Sequence, residues 1–455
     1  SSMTMGRRMP IVDHDEPGDA WVAQAVQAEF LSDEARYAAS LEQLRELWLG
    51  RLSGLGPGPE RRQGRRLVRR LDDSRRRLVF ELLAQARRLR RGGEDPDWPG
   101  LQLSEDRALA TAEELLGPRQ GWLGAFRRYT EQVEPRLVVI PTWQCELRCR
   151  YCYIPKQDGR VMSPETLDRS LDLLLSSERP SLILQMFGGE ALLEWGLVQQ
   201  ALQQGHERAQ AAGKDLRFIL SSNGYSLDED KLDWLKAFPV RLELSLDGDP
   251  KTQNSFRRAW KKSGDSYEMG IAPRAAAILA SGLDHEVIMV VHPANVDRMQ
   301  DNFFHIASLG FQRIQINFAL GSKWSSSQQK SFGDGLFRIG ERLRLLWAEG
   351  QGLMMVNLEG RPMPIRLNGE LTVDWDGTLY GGNAFLHETE HKDKFRIGEL
   401  NDLGHFDRYW LDAPSNEVLL EYSYETEVTR NNLAVGRILT SFMAWMQQGP
   451  LGPRG

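Results

Sequence analysis

Cysteine is nearly absent from this chain, with three residues in 455. Three thiols cannot staple a chain of this length and leave one unpaired, so a disulfide scaffold is excluded and a reducing cytoplasm is the expected setting. Long apolar runs are also missing. Nothing approaches the ~18 uninterrupted apolar residues of a membrane span, so no membrane partner is expected. The N-terminal stretch Ser1 to Arg8 runs into Asp13-His14-Asp15-Glu16 without the apolar core of a secretory signal, and its first residues read as a cloning remnant. No fixed-period repeat is found. What is present is an ordinary globular mixture, 41% hydrophobic and 26% charged, which excludes wholesale disorder.

The net charge of −6 conceals an uneven distribution. Between Glu60 and Gly93 stand 13 Arg and no Lys against 4 acidic residues, a local excess of nine positive charges. Leu67, Val68, Leu71, Leu78, Val79, Leu82, Leu83, Ala86 and Leu89 recur between the arginines at helical steps, which predicts a basic amphipathic helix or helix pair. A solvated face packed on an acidic body is one reading; a dock for an acidic partner is the other. Only Phe80 interleaves with the arginines, which disfavours nucleic acid.

Residues 1–132 read as a helical, Arg-rich domain, broken at Gly54–Gly58 and Gly92–Gly100. From Arg136 the texture changes. Apolar runs at Leu137–Ile140, Leu182–Phe187, Phe218–Ser221, Val240–Leu246, Val287–Val291 and Ile314–Phe318 alternate with amphipathic stretches at Pro164–Ser176, Trp195–Ala212, Asp228–Phe238, Ser266–Ser281 and Val296–Ser308. This α/β alternation predicts a parallel sheet with helical crossovers over 133–320, a partial (β/α)6 TIM-like barrel. Residues 321–455 read as a small α+β extension: a helix to about Trp347, a hairpin across Leu371–Tyr380 turning at Asp-Gly, a strand at Phe395–Leu400 and a helical tail over Glu417–Gln448.

All three cysteines lie in one octet, Cys145-Glu146-Leu147-Arg148-Cys149-Arg150-Tyr151-Cys152, directly after the first predicted strand. Structural zinc takes four protein ligands, and no His or fourth Cys lies nearby. An iron–sulfur cube held by three thiolates leaves one iron open to an exogenous ligand. Buried structural thiols are the weaker reading, because the loop is polar and gathering every cysteine into eight positions by chance is improbable.

These residues resemble the signature of the radical S-adenosylmethionine (SAM) enzymes: C-x3-C-x2-C, with Tyr151 before the last cysteine and Tyr153 after it. Gly188-Gly189-Glu190, ending the second strand, is similar to that family's GGE motif, which holds the methionine amino group. Ser221-Ser222-Asn223-Gly224 and Ser245-Leu246-Asp247-Gly248 resemble its ribose and carboxylate contacts. Arg257 matches an Arg of the peptide-modifying branch that follows a His-Asp pair, here Gln253-Asn254. His292, in Val291–Val296, falls in a segment that approaches adenine. The resemblance implies a radical SAM barrel with Cys145, Cys149 and Cys152 holding one [4Fe-4S] cluster. Tyr151, Gly188, Gly189, Glu190, Ser222, Asn223, Ser245, Asp247, Arg257 and His292 would then lie around the SAM. It also implies an external electron donor of flavodoxin or ferredoxin type and a 5′-deoxyadenosyl radical that abstracts a substrate hydrogen. An enzyme of natural-product peptide maturation is therefore expected.

The hairpin and the Phe395–Leu400 strand resemble the SPASM or twitch extension of peptide- and protein-modifying members. The auxiliary-cluster cysteines of that extension are missing here: Gly381-Gly382 follows the hairpin, and no cysteine occurs after Cys152. This disfavours thioether formation and Cys-quenched epimerisation. It leaves a redox-neutral rearrangement, quenching by another donor such as Tyr, or an oxidation returning its electron to the single cluster. His387-Glu388-Thr389-Glu390-His391 satisfies H-E-x-x-H, but its polar setting between β segments reads as a surface loop. The cobalamin motif D-x-H-x-x-G is absent, which argues against cobalamin-dependent methylation. A peptide or protein is the expected substrate. The alternatives are a small metabolite, such as an amino acid or sugar, and a non-catalytic partner protein with the same fold.

Overall fold

The computed structural model describes residues 135–155, 159–260, 265–360, 370–380, 382, 396–402, 406 and 426–453. The expected Arg-rich domain over 1–132 and the His387–His391 stretch lie outside these residues.

The described chain begins with β1 (Arg136–Val139) and a short β2 (Leu147–Cys149). Helix α1 (Pro164–Leu175) then leads to β3 (Ser181–Met186), and α2 (Trp195–Ala211) to β4 (Asp215–Ser222). Next come α3 (Glu229–Leu235) with β5 (Val240–Ser245), α4 (Pro250–Phe256) with a short β6 (Arg257–Ala259), and α5 (Ala272–Ser281) with β7 (His285–Val291). Finally α6 (Met299–Ser308) leads to β8 (Arg313–Phe318) and α7 (Ser326–Ala348). Every apolar run read as a strand forms one, and each amphipathic stretch supplies its crossover helix.

Local chemistry sets the helix starts. Ser163, Asp228 and Asp249 each accept a backbone N–H from three residues on, and Pro164 and Pro250 occupy first-turn positions where no donor is needed. Ser325 and Gln328 form a reciprocal capping box at α7. The Ser266–Ser281 stretch departs from a single helix. It opens with a wide π-turn at Tyr267–Ile271, because Pro273 offers no N–H to the Met269 carbonyl, which takes the Arg274 guanidinium instead.

Neighbouring strands in the main sheet run β1-β3-β4-β5-β7-β8, all parallel. Alternation divides their side chains between two faces. Leu137, Leu184, Phe218, Leu242, Met289 and Ile316 join the helices in one continuous core, with Phe218, Phe303, Phe311 and Phe332 fully enclosed. The opposite face carries a polar group among apolar side chains: the Gln185 amide donates to Ser221 Oγ at 2.9 Å and to Glu243 Oε2 at 3.1 Å.

The described strands beyond residue 320 join the main sheet. β9 (Met354–Met355) pairs parallel with β8, and β10 (Glu370–Val373) pairs parallel with β1. β11 (Thr378–Tyr380) and β12 (Arg396–Glu399) then add antiparallel strands beyond β10. Both edges of the six-stranded core are thus covered by the C-terminal part. Helix α8 (Thr426–Met446) packs on α7 at Gly340, where an added Cβ would lie 2.7 Å from Met446 Sδ. Among the described residues, no helix is long and apolar enough to cross a membrane.

Candidate functional site

The sequence motifs gather at the C-terminal ends of the parallel strands, the end at which α/β barrels assemble their sites. The cysteine octet follows β1. Its middle, β2, pairs antiparallel with β6, placing Cys149 opposite Arg257 and Arg148 opposite Arg258. Cys145 is buried, while Cys149 and Cys152 are half-buried. Three contacts order the loop: the Leu147 N–H points to Cys145 Sγ at 3.4 Å, the Cys152 N–H to the Cys149 carbonyl at 3.2 Å, and the Arg148 guanidinium to the Cys145 carbonyl at 2.8 Å.

The Gly188-Gly189-Glu190 turn, which follows β3, presses against the base of that loop. The Gly189 N–H donates to the Thr142 carbonyl at 2.9 Å, and the Glu190 N–H to the Gln144 carbonyl at 2.8 Å. A Cβ on Gly189 would fall 2.0 Å from the Gln144 carbonyl oxygen; one on Gly188, whose φ is +117°, would fall 2.7 Å from that of Thr142. Only glycine permits this approach of backbone to backbone.

Glu190 is 2% exposed. One carboxylate oxygen accepts from the Leu192 N–H at 3.1 Å, the other from the Asn223 N–H at 2.8 Å. Burial, reinforced by the nearby Glu146 carboxylate, pushes its pKa up to about 7, even though these bonds and one from Ser222 pull it down. Asn223 also reaches the cysteine loop, its amide lying 3.6 Å from Cys145 Sγ and 3.1 Å from Glu146 Oε2. Ser226 completes this group by donating to Glu146 Oε1.

A second buried group follows β5. Asp247 is fully enclosed, and Arg257 is 8% exposed. Asp247 Oδ1 accepts from the Val290 N–H at 3.0 Å and lies 3.1 Å from Arg257 Nε, an ion contact without hydrogen-bond alignment. Its Oδ2 accepts from the Tyr151 hydroxyl. Gln253 Oε1 takes the Asp247 N–H at 2.8 Å, so the glutamine standing in the expected His position serves to fix Asp247. Arg257 also points a guanidinium nitrogen at Cys149 Sγ, 3.8 Å away. Burial and Asp247 hold the Tyr151 phenol protonated well above its ordinary range, against the pull of Arg257. Burial works against the Arg257 charge, but Asp247, Tyr151 and Cys149 together outweigh it and raise the pKa.

Ser245 ends β5 and is half-buried. His292 caps the turn that precedes α6, accepting the Ala294 N–H at Nδ1 over 3.0 Å, and its ring lies 5.1 Å from that of Phe256. Burial and Arg150 lower its pKa, Asp247 opposing, so the ring is held neutral as a cap. Glu146, Ser226 and the Trp143–Asp374 pair described below carried no assigned role in the sequence reading. Glu146 was visible inside the cysteine octet, whereas the others come together only through the fold.

Among the described residues, no three His, Cys, Asp or Glu side chains cluster as ligands of a single metal ion. A cubane spaces its thiolates wider than ligands on one ion, since each binds a different iron. The donor chemistry fits such a cluster: three thiols on one loop, the glycine turn under it, and amide and guanidinium donors directed at two of the sulfurs. Cys145, Cys149 and Cys152 would hold the cluster, and Glu190 would accept from an ammonium group. The bound pair supplies one-electron cleavage of a sulfonium carbon–sulfur bond.

Comparison with known proteins agrees with this geometry. The Radical SAM superfamily profile matches residues 139–302. A 112-residue stretch is 23% identical to an uncharacterized protein of Methanocaldococcus jannaschii, covering 25% of this chain and 38% of that protein. A 134-residue stretch is 28% identical to the Fe-coproporphyrin III synthase of Methanosarcina barkeri, covering 29% of this chain and 31% of that enzyme. The chain thus spans well under half the length of these curated relatives. The solved structure of anSMEcpe with bound AdoMet and Cp18Cys peptide superposes with a TM-score of 0.55 at 16% identity, over 65% of this chain and 85% of that one, a likeness of fold. Residues 139–302 form a radical SAM domain, the enzyme core whose cofactors are a [4Fe-4S] cluster and S-adenosylmethionine.

Proposed function

We propose that the chain uses a single [4Fe-4S] cluster on Cys145, Cys149 and Cys152 to cleave S-adenosylmethionine reductively, and that the resulting 5′-deoxyadenosyl radical abstracts hydrogen from a peptide or protein. The observation that carries this reading is the meeting of the cysteine loop, the glycine turn and Asn223 around the buried Glu190, whose carboxylate has no ion-pair partner among the described residues. A buried acid at that cost suits a cationic ligand. Tyr151, Asp247 and Arg257 then hold the cysteine loop to the β5 end, while Ser222 and Asn223 orient Glu190. Ser245 and His292 stand beside them at the β5 and β7 ends.

The peptide substrate is supported by the fold likeness to anSMEcpe, which was solved with a bound peptide. A single cluster is supported by the lack of cysteines after Cys152 in this sequence. A low-potential flavodoxin or ferredoxin would supply the electron, in a cytoplasmic setting. A second reading, a small-molecule substrate, is favoured by the stretch shared with Fe-coproporphyrin III synthase. The test is anaerobic turnover with candidate substrates deuterated at carbon. Deuterium arriving in 5′-deoxyadenosine from a peptide supports the proposal; deuterium arriving only from small molecules replaces it with the second reading.

A further inference from the structure

The two residues that precede Cys145, Trp143 and Gln144, are gripped from opposite sides. On one side is the glycine turn, already described, which bonds to the Thr142 and Gln144 carbonyls. On the other is the C-terminal extension. Strand β10 runs parallel to β1 in register, Val139 beside Val373, and the Ile140 N–H donates to the Val373 carbonyl at 2.9 Å. Both chains therefore leave the sheet side by side. Their next residues meet: Trp143 Nε1–H donates to Asp374 Oδ1 at 2.8 Å, with Trp143 5% and Asp374 2% exposed.

The setting of this bond is built to hold it. Asp374 Oδ1 also accepts the Trp375 N–H at 2.8 Å. The turn it opens is closed by the Gly377 N–H to the Asp374 carbonyl at 3.0 Å, with Gly377 at φ +86°. The Trp375 ring stands edge-on to Trp143 with centroids 6.5 Å apart, and Arg160 caps Trp375 at 5.2 Å. The Trp143 N–H donates to the Arg160 carbonyl at 3.0 Å. A buried carboxylate that accepts a side-chain donor from 231 residues away is a directional link, unlike apolar packing.

We infer that Asp374 is a positioning residue: acting through Trp143, it latches the cysteine loop against the sheet, so the extension that carries no cysteine still serves the cluster. This rests on the assignment of Cys145, Cys149 and Cys152 as its ligands. The latch acts on the backbone immediately before Cys145, the most buried of the three thiols.

Three full-length variants test it: Asp374→Ala, Asp374→Asn, which keeps an acceptor oxygen, and Trp143→Phe, which keeps the ring and removes only the N–H. The first readout needs no cluster. In the apo protein, alkylation of Cys145 by a maleimide, followed by mass spectrometry, is expected to be about tenfold faster in Asp374→Ala and Trp143→Phe and near wild type in Asp374→Asn. The second is the reconstituted protein, where chelator-driven iron loss should speed up several-fold in the same two variants and the electron paramagnetic resonance line of the reduced cluster should broaden. The double variant should be no worse than either single one. Unchanged alkylation in folded Trp143→Phe, or Asp374→Asn behaving like Asp374→Ala, overturns the latch. Should Asp374→Ala not fold, Trp143→Phe decides. A wild type that takes up no cluster overturns the ligand assignment, while the alkylation rates still report on the latch itself.

Discussion

Two carboxylates at opposite ends of the parallel sheet, Glu359 and Glu190, are held in opposite ways. At the N-terminal end, Arg313 grips Glu359 with two bonds of 2.6 and 2.8 Å and also approaches Glu286, which Arg241 reaches from the other side. Hydrogen bonds from Arg313 hold the Glu359 carboxyl below its ordinary range, and the Arg313 pKa rises in return. At the C-terminal end, Glu190 is buried without a cationic partner among the described residues, and its pKa is pushed up to about 7. The first arrangement is complete within the protein. The second costs free energy until something positive arrives, as expected of a site rather than a scaffold.

The largest break in this contrast comes from the loop itself. Cys149→Ala removes one of the three proposed ligands, and iron and sulfide content after reconstitution should fall to background together with all SAM cleavage. Gly189→Ala comes next. Its methyl would sit 2.0 Å from the Gln144 carbonyl oxygen, so the turn must separate from the cysteine loop; SAM binding by calorimetry should drop by more than tenfold while the α/β core still melts cooperatively.

Glu190 sharpens the contrast through pH. Its folded pKa lies above the unfolded one, so it costs the apo protein nothing below about pH 4.5; the cost grows as pH rises to about 7 and is then constant. The full penalty is about 3 kcal/mol on the scale of 1.36 kcal/mol per pH unit. Glu190→Gln should recover part of it at pH 8 and none at pH 4, measured by urea denaturation. Binding has the opposite sense. The carboxylate must be ionised to receive an ammonium group, so SAM affinity should rise about tenfold from pH 6 to pH 8 in the wild type and stay flat and weak in the variant.

The smallest effect belongs to the completed end. Glu359→Gln breaks an ion pair whose side chains are 43% and 30% exposed, so solvent screening limits its cost to about 1 kcal/mol or less, shrinking further with salt. The pH sense is reversed: the Glu359 contribution is present above the ordinary carboxylate pKa and is lost as pH falls through its lowered folded value. SAM affinity should not change.

Most of the six-stranded core was legible because both signals it relies on are local. Apolar runs such as Val287–Val291 and amphipathic stretches such as Trp195–Ala212 declare themselves within a few residues. The cysteine octet and Gly188-Gly189-Glu190 were legible as motifs, and their order along the chain placed them at strand ends. What could not be read was pairing across long separations. The hairpin at Leu371–Tyr380 showed its turn but not its partner, and nothing in its residues announces that β10 lies beside β1. The Trp143–Asp374 bond follows from that pairing and was hidden with it. The cost borne by Glu190 was equally invisible, because it depends on burial and on Glu146 reaching the same pocket. The π-turn before α5 hinges on one proline whose effect depends on Arg274 taking the vacated carbonyl.

The most direct test of the central claim is release of 5′-deoxyadenosine and methionine from anaerobically reconstituted protein given SAM, a reductant and a set of candidate peptides, with iron and sulfide counted on the same sample and Cys149→Ala run beside it. The account predicts about four irons per chain and equal amounts of both products from the wild type, and neither iron nor products from the variant. A Cys149→Ala protein that still holds a full cluster and releases both products would contradict it.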